Sequence, residues 1–425
     1  ETASEKQPEN LSAPENRQNP PSRQPATEGI PHSKNASPIA PRLLLWKLLA
    51  AYLAPAPEFG RRSEYQDTEL LAPQTLDDAA LEAALAAAAP LQGFYTSYQD
   101  WDAACDNTGT CRIAGYQGDG EIEHPVSVLF TRKAGGNAPV IGQIAVAPDF
   151  TDNASDLKLA DKSELRLNGK TLGTLRFNQD GYGKLSSAQT QALLAALRRD
   201  AKIEVVSGAQ KWTLSDKGAA AAMLKLDEFQ GRLNTPSALI RKGRSTRAVL
   251  QPQPVPTIRA AAVPQKGEYT LKKGTAKHKA VMALLQKSNN GREDGDPFDR
   301  CPGLHEAEWQ GDITVYLLNA KQVLVDTSCI SGAYQGTSFN AVMDKKLTRV
   351  EQVLPRQYGG FGGFDPKTAT LSGSFKGRGL GDCWGGQSAV WNGHTFVRSS
   401  EHTTGQCKGF LGGAWTLPLF VGKTR

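Results

Sequence analysis

Six cysteines are the residues whose type and spacing constrain the chemistry of this chain most. They fall into three local pairs: Cys105 with Cys111, Cys301 with Cys329, and Cys383 with Cys407. An even number of closely paired cysteines is typical of disulfides formed in an oxidising compartment, although the sequence alone permits other pairings. No C-x-x-C spacing occurs, which argues against a thioredoxin-like redox pair and a Cys-rich zinc ribbon. Proximity therefore predicts three disulfides in an exported protein.

The densest group of side chains able to do chemistry lies near the C-terminus, in the segments SFKGRGLGDCWGG, AVWNGHTF and GQCKGFLGGAW. Arginine and tryptophan beside glycine turns are typical of recognition surfaces. The candidate recognition surface has six members: Lys376, Arg378, Asp382, Trp384, Trp391 and His394. The alternative is structural, with the tryptophans filling the core and Arg378 pairing with Asp382 to hold a loop.

Metal-binding and catalytic patterns are weak. Asp294, Asp296 and Asp299 in NNGREDGDPFDRC form a candidate Ca²⁺ site, but the Glu that completes an EF-type loop is missing. The histidines show no metal-ligand spacing, and no G-x-S-x-G, H-E-x-x-H or phosphate-binding loop occurs. We therefore predict no cofactor, no metal and no identifiable catalytic residue, while catalytic groups that converge from distant segments stay open.

The net charge of +6 is spread unevenly. Twelve lysines and arginines lie between Arg232 and Lys287, against one acidic residue, Glu268. Such a run could attract peptidoglycan, lipid headgroups, polysaccharide or nucleic acid. Few aromatic residues interleave with the charge, so the sequence favours a solvated linker over a dedicated binding surface.

Two segments precede the first strand-rich region. Residues 1–41 are rich in Pro, Glu, Asn, Gln and Ser and cannot bury enough apolar surface to order, so we predict a disordered arm. Residues 42–97 hold an apolar run and an Ala-rich helix, LDDAALEAALAAAAP. The apolar run, residues 42–54, is too short to span a bilayer, and it indicates a partner-docking helix, an interfacial helix, or the apolar region of a leader behind a misplaced start. The docking helix presents Leu43, Leu44, Leu45, Trp46, Leu48, Leu49, Tyr52 and Leu53.

Residues 98–235 read as a first β-rich domain with two helices. The segment SELRLNGKTLGTLRF predicts a hairpin, because its apolar alternation surrounds the Asn168-Gly169 pair that a type I′ turn requires. AKIEVVS and QKWTLS predict a second hairpin. Two amphipathic helices are expected, one capped by Ser187 and one by Ser215.

A basic, Pro-rich linker is predicted over residues 236–266, and a second β-rich domain over 267–425. That domain begins with a helix, GTAKHKAVMALLQKS, and continues through strands such as DITVYLLN and KQVLVDTSC. The expected fold is mainly β with a few helices (α+β), in two disulfide-stapled antiparallel domains of sandwich or barrel type.

Several separated motifs resemble a bacterial family known as domain of unknown function 1176. They are DWDAACDNTGTCRIAGYQ, WTLSDKGAAAAMLKLDEFQGRLNTPSAL, SGAYQG and KGRGLGDCW…VWNGHTF, in this order, and the resemblance runs from about residue 98 to 425. It implies an exported protein of the Gram-negative envelope and supplies no catalytic residues. The first domain is also similar to invasion-associated protein B, which by analogy implies a β-sandwich with a binding role.

Three functions compete at this stage. The first is a non-catalytic periplasmic protein that contacts another envelope protein through residues 42–54, or a cell-wall polymer. It would bind no nucleic acid and have no transmembrane span, while peripheral membrane contact stays open. The second is an envelope hydrolase or cell-wall-modifying enzyme centred on Asp382, Arg378 and His394. The third is an inhibitor or immunity protein that inserts the loop RQYGGFGGFD into a lytic enzyme.

Overall fold

A computed structural model describes residues 91–119, 124–148, 157, 159–289, 300–332, 336–355 and 360–425. The predictions for the arm, the docking helix and the Ala-rich helix fall outside the described residues. So do the calcium candidates Asp294, Asp296 and Asp299. The described residues form mostly antiparallel sheets with four helices among them, which confirms the predicted class.

The first sheet is a six-stranded antiparallel meander whose first five strands follow one another along the chain. Its strands, in spatial order, are β1 (Phe94–Tyr98), β2 (Trp101–Cys105), β3 (Cys111–Tyr116), β4 (Val126–Arg132), β5 (Val140–Val146) and β8 (Tyr182–Lys184). The Cys105–Cys111 disulfide joins β2 to β3 across their connecting turn.

The second sheet has four strands in the order β10-β9-β6-β7. They are β6 (Ser163–Leu167), β7 (Lys170–Leu175), β9 (Ile203–Ser207) and β10 (Gln210–Leu214). Both predicted hairpins are confirmed, and the turn between β6 and β7 places Asn168 and Gly169 at positive φ, as a type I′ turn requires.

Helix α1 (Ser187–Ala196) follows β8, and α2 (Ala219–Phe229) follows β10. Both predicted caps are wrong. Ser186, one residue earlier than expected, caps α1 and exchanges hydrogen bonds with Gln189, because that pair completes a capping box. Helix α2 begins after Gly218 without a side-chain cap, since Ser215 accepts from the Lys217 amide instead.

Both faces of the first sheet are buried, so β2 is buried at every position. One face packs against the second sheet and both helices in a core that includes Trp101, Phe130 and Met223. The opposite face packs against C-terminal residues, including Trp415 and Leu417. All described residues belong to one unit, Leu76–Arg425. The predicted boundaries at 235 and 266 stay predictions, and the two predicted domains share this second core.

The C-terminal half contributes two five-stranded antiparallel sheets that face each other across a core around Trp391 and Phe361. The strands of the third sheet are β12 (Tyr269–Leu271), β13 (Ile313–Leu317), β14 (Gln322–Ser331), β15 (Gly336–Asp344) and β16 (Val350–Val353). Those of the fourth are β17 (Gly363–Asp365), β18 (Thr370–Lys376), β19 (Trp384–Trp391), β20 (Phe396–Thr403) and β21 (Leu417–Val421).

The outer face of the third sheet is covered by α3 (Ala276–Ser288) and the short α4 (Pro302–His305). Cys301 and Cys329 form a disulfide within this core, and Cys383 bonds Cys407, so all three predicted pairs form. Part of the predicted linker pairs with the C-terminal residues, because β11 (Thr257–Ile258) forms a parallel pair with β22 (Lys423–Thr424). In the part of the chain that the structure describes, no helix is long and apolar enough to cross a bilayer.

Candidate functional site

The Cys383–Cys407 disulfide joins two loops at one end of the fourth sheet. One loop connects β18 to β19, and the other leaves β20 toward β21. Backbone hydrogen bonds add to the covalent link: the Gly412 amide donates to the Gly381 carbonyl over 2.8 Å and the Thr404 amide to Trp384 over 2.7 Å. We call residues 376–384 and 404–413 the braced patch.

Arg378 and Asp382 form a two-pronged ion pair within the braced patch. Arg378 Nε donates to Asp382 Oδ1 over 2.8 Å, and its Nη2 donates to Oδ2 and to the Cys407 carbonyl. The Gly409 amide also donates to Oδ2, at 2.8 Å. Burial alone would raise the pKa of Asp382, but these hydrogen bonds outweigh it and lower the pKa. Asp382 is therefore a fixed anion that holds the two loops together.

The outer side of the braced patch is apolar and cationic. Lys376 Nζ lies 5.1 Å from the ring centre of Trp384, whose Nε1 donates to the Gly381 carbonyl over 2.8 Å. Leu380 and Leu411 stand on the two joined loops and are 45% and 75% exposed. Exposed leucines on fixed loops form a surface that a partner can cover without ordering it first.

Two members of the predicted recognition surface lie elsewhere. Lys376 pairs with Trp384 at one end of the fourth sheet, whereas Trp391 pairs with Phe396 at the other end of β19. Trp391 is fully buried in the core and packs on Phe396. His394 is exposed in the turn after Trp391. The structure therefore brings together four of the six predicted residues: Lys376, Arg378, Asp382 and Trp384.

The braced patch also contains a buried lysine, Lys408, that the sequence did not indicate. Lys408 Nζ donates to Asp100 Oδ1 at 2.7 Å, to the Gln117 carbonyl at 3.2 Å and to Asp119 Oδ1 at 2.6 Å. Lys408 and Asp100 are both largely shielded from solvent, whereas Asp119 is exposed. These contacts attach the braced patch to the first sheet.

A second polar contact lies beside the lysine. Asp102 is fully buried and accepts from Ser97 Oγ at 2.7 Å and from Gln406 Nε2 and the Gln406 amide, each at 3.0 Å. Burial raises the pKa of Asp102 despite these donors. The sequence offered one signal for these two contacts, the placement of Asp100 and Asp102 on either side of Trp101. Their partners Lys408 and Gln406 lie too far along the chain to share a local pattern with them.

One group of possible metal ligands occurs near the disulfide: a carboxylate oxygen of Asp382 and the Sγ atoms of Cys383 and Cys407 lie within 4.8 Å of one another. The two sulfurs are bonded to each other, and the carboxylate is saturated by Arg378 and Gly409. A thiolate ligand would require the disulfide to be broken. We assign this trio a structural role.

An open cleft of about 520 Å³ lies at the edge of the second sheet, and no residue of the braced patch lines it. Its lining includes Asn168, Asp200, Lys202 and Asp216. Asp216 Oδ2 accepts from the Ala201 amide at 2.7 Å, and Lys217 lies within ion-pair distance of both Asp216 and Asp200. The contacts of Asp216 and Lys217 stabilise the loops that carry these residues. The lining of the cleft contains none of Arg378, Asp382 and His394.

Comparison with known proteins places the chain in a family. The family described as "Protein of unknown function (DUF1176)" matches residues 95–422. The uncharacterized protein YpfG of Escherichia coli (strain K12) is 25% identical over 331 residues, which cover 74% of this chain and 87% of YpfG. No solved structure matches the chain significantly. Because the family match extends over most of the sequence, this chain belongs to the DUF1176 family.

Proposed function

We propose that the chain is an exported, non-catalytic binding protein of the Gram-negative cell envelope that contacts another envelope protein. The observation that carries this proposal is the braced patch, where Leu380 and Leu411 are exposed on two loops joined by a disulfide. Three disulfides in the described residues favour an oxidising compartment, and the periplasm is the proposed location.

The chemistry of the braced patch supports binding better than catalysis. A general acid or base needs a proton that it can exchange near the working pH, in reach of a substrate. Asp382 is fully buried, and its hydrogen bonds lower its pKa. His394 lies at the opposite end of β19. The hydrolase alternative therefore draws no support from this group of residues.

The two loops of the braced patch are pre-organised for binding. A partner that covers Leu380 and Leu411 removes apolar surface from water without first ordering the loops, because the disulfide and the Gly412–Gly381 hydrogen bond already fix them. Truncation of a residue that anchors an interface costs about 2 kcal/mol or more of binding free energy, whereas most interface residues cost less than about 1 kcal/mol.

The test is cross-linking of the full chain in envelope extracts, with captured proteins identified by mass spectrometry. The variant Leu380→Ser/Leu411→Ser is compared with wild type and with Ile141→Ser, a matched control because Ile141 is 57% exposed on another part of the surface. We expect a captured envelope protein that the double variant loses and the control retains. Equal capture by all three chains would contradict the proposal for this patch.

A chain without residues 1–62 tests the predicted docking helix separately. Loss of the same partner on this deletion, with the braced patch intact, would assign the contact to residues 42–54. Retention would leave the braced patch as the binding surface.

A further inference from the structure

The strongest feature that the proposed function leaves unused is a cationic loop within the predicted linker. Residues 241–247, with the sequence RKGRSTR, carry four cations and are called the basic loop. Arg241, Lys242, Arg244 and Arg247 are all exposed. Among the described residues, none of these four side chains forms an ion pair with a carboxylate.

The backbone of the basic loop is fixed, although the sequence predicted a solvated linker there. The Asn234 amide donates to the Arg241 carbonyl over 2.8 Å, and the Ser245 amide donates to the Asn234 carbonyl over 2.9 Å. The Gly243 amide donates to the Thr235 carbonyl over 3.2 Å. A Cβ at Gly243 would lie 2.4 Å from the Asn234 carbonyl oxygen, so this close approach requires glycine.

A buried ionic group anchors the chain just before the basic loop. Asp227 accepts from the amides of Leu239 and Ile240 at 2.7 and 2.9 Å. Arg232 is fully buried and donates to the Gly135 carbonyl over 2.6 Å and to Ser237 Oγ over 3.1 Å. The interior thus uses its charges to hold the backbone, while the four cations of the loop stay in solvent.

The surroundings of the basic loop add positive charge. Arg198, two residues after the end of α1, is exposed and donates to the Ile240 carbonyl over 3.2 Å, directly beside the loop. No acidic residue occurs in the sequence between Glu228 and Glu268. An anion that approaches the loop therefore meets its four exposed cations and Arg198, whereas the Asp227 carboxylate, which accepts from the Leu239 and Ile240 amides, is buried.

The same stretch contains no aromatic residue between Phe229 and Tyr269. Single-stranded nucleic acids are bound by aromatic side chains that stack on the bases as well as by cations, so this composition disfavours them. The four cations are spread along an exposed loop and do not converge in a pocket, which disfavours one small anion. A surface that presents many phosphates side by side suits this arrangement, because arginine binds phosphate through two parallel hydrogen bonds.

We propose that the basic loop binds the phosphate groups of anionic lipid headgroups at a membrane surface. The binding is peripheral and adds to the protein contact proposed for the braced patch without depending on it. Each cation near an anionic surface strengthens binding about 5-fold, so the loss of four should weaken it roughly 600-fold. Added salt should weaken it further by screening.

The test is co-sedimentation of the full chain with vesicles of phosphatidylcholine alone or mixed with phosphatidylglycerol. The variant Arg241→Gln/Lys242→Gln/Arg244→Gln/Arg247→Gln is compared with wild type. The control Lys279→Gln/Lys321→Gln/Lys345→Gln/Lys346→Gln removes the same charge from exposed positions on α3 and in the turns between strands of the third sheet. Urea unfolding of each chain shows whether the fold is retained.

We expect wild type and the control to bind the phosphatidylglycerol vesicles, and the loop variant to lose roughly 600-fold in affinity while it stays folded. Leu380→Ser/Leu411→Ser should bind vesicles like wild type, which separates this inference from the proposed protein contact. Equal binding to neutral vesicles, or equal losses in variant and control, would overturn the proposal. Displacement by millimolar inorganic phosphate, or tighter binding to a single-stranded RNA, would overturn it in favour of those ligands.

Discussion

Lys408 Nζ and Asp100 Oδ1 form a hydrogen-bonded ion pair of 2.7 Å between residues 308 positions apart in the sequence. Lys408 belongs to the braced patch and Asp100 to the turn before β2, so the pair crosses from the fourth sheet to the first. Each ion has been removed from water, and its cost is offset only while the partner is present.

The first prediction follows from that dependence. Lys408→Met should lower the unfolding free energy by about 3–5 kcal/mol, because it leaves the Asp100 carboxylate buried and unpaired. The double variant Asp100→Asn/Lys408→Met should be more stable than Lys408→Met alone. Urea unfolding of the oxidised chain provides the measurement, and Lys345→Met is the control at an exposed lysine. A loss no larger than that of the control would show that the pair contributes little.

Local features of this fold could be predicted from the sequence. The β6–β7 hairpin forms because Asn168 and Gly169 accept positive φ, and the disulfides form between cysteines close in sequence. Each of these features depends on interactions within a few tens of residues, which is the range over which sequence patterns carry information. The helices were also predicted, but their first residues were not, since Ser186 and Gly218 precede the helices in place of Ser187 and Ser215.

The long-range contacts could not be predicted in the same way. Asp100 and Asp102 flank a buried Trp101 and would be solvent-facing in a sheet with one open face. They are buried because C-terminal residues cover that face, and the partners Lys408 and Gln406 come from there. The Arg378–Asp382 pair could be predicted, because the two residues are four positions apart. The alternative in which this pair holds a loop matches the observed geometry.

The second prediction concerns Gly405, which has φ +82°. A Cβ there would lie 2.2 Å from Tyr116 Oη and 2.6 Å from Asp102 Oδ2. Gly405→Ala should therefore destabilise the chain by about 3 kcal/mol or more, since both strain and overpacking contribute.

Gly412→Ala is the matched control for that substitution. Gly412 has φ +80°, nearly the same backbone conformation, but no neighbouring atom of the described residues lies within 4 Å of its Cβ position. Its replacement should cost only the backbone strain of about 1 kcal/mol. Urea unfolding of the two variants separates the terms, and equal losses would show that the contact with Tyr116 and Asp102 adds nothing.

The third prediction is a pair of opposite pH dependences. The pKa of Asp102 is raised by burial above its ordinary 3.8, so the folded chain holds that proton more tightly than the unfolded chain. Its contribution to stability is present below pH 3.8 and is lost as the pH rises through the folded-state pKa. The pKa of Asp382 is lowered from 3.8, because hydrogen bonds outweigh its burial, so its contribution is lost as the pH falls through the folded-state pKa.

Unfolding free energies of wild type, Asp102→Asn and Asp382→Asn, measured from about pH 2 to pH 7, test both signs. The advantage of wild type over Asp102→Asn should decline as the pH rises from 3.8. Its advantage over Asp382→Asn should decline as the pH falls below 3.8. Parallel curves for wild type and either variant would refute the assigned shift.

The fourth prediction ranks the disulfides by the length of chain that each one closes. Cys383–Cys407 spans 24 positions and Cys105–Cys111 spans 6. Because a longer closed loop removes more entropy from the unfolded chain, replacement of both cysteines by alanine should cost about 3 kcal/mol for the first pair and about 2 kcal/mol for the second. The first replacement should also loosen the braced patch, because it removes the covalent link between the two loops. Unfolding in urea gives the ranking, and proteolysis under native conditions reports the patch. A patch that stays protected without its disulfide would show that the Arg378–Asp382 pair and the backbone bonds suffice to hold it.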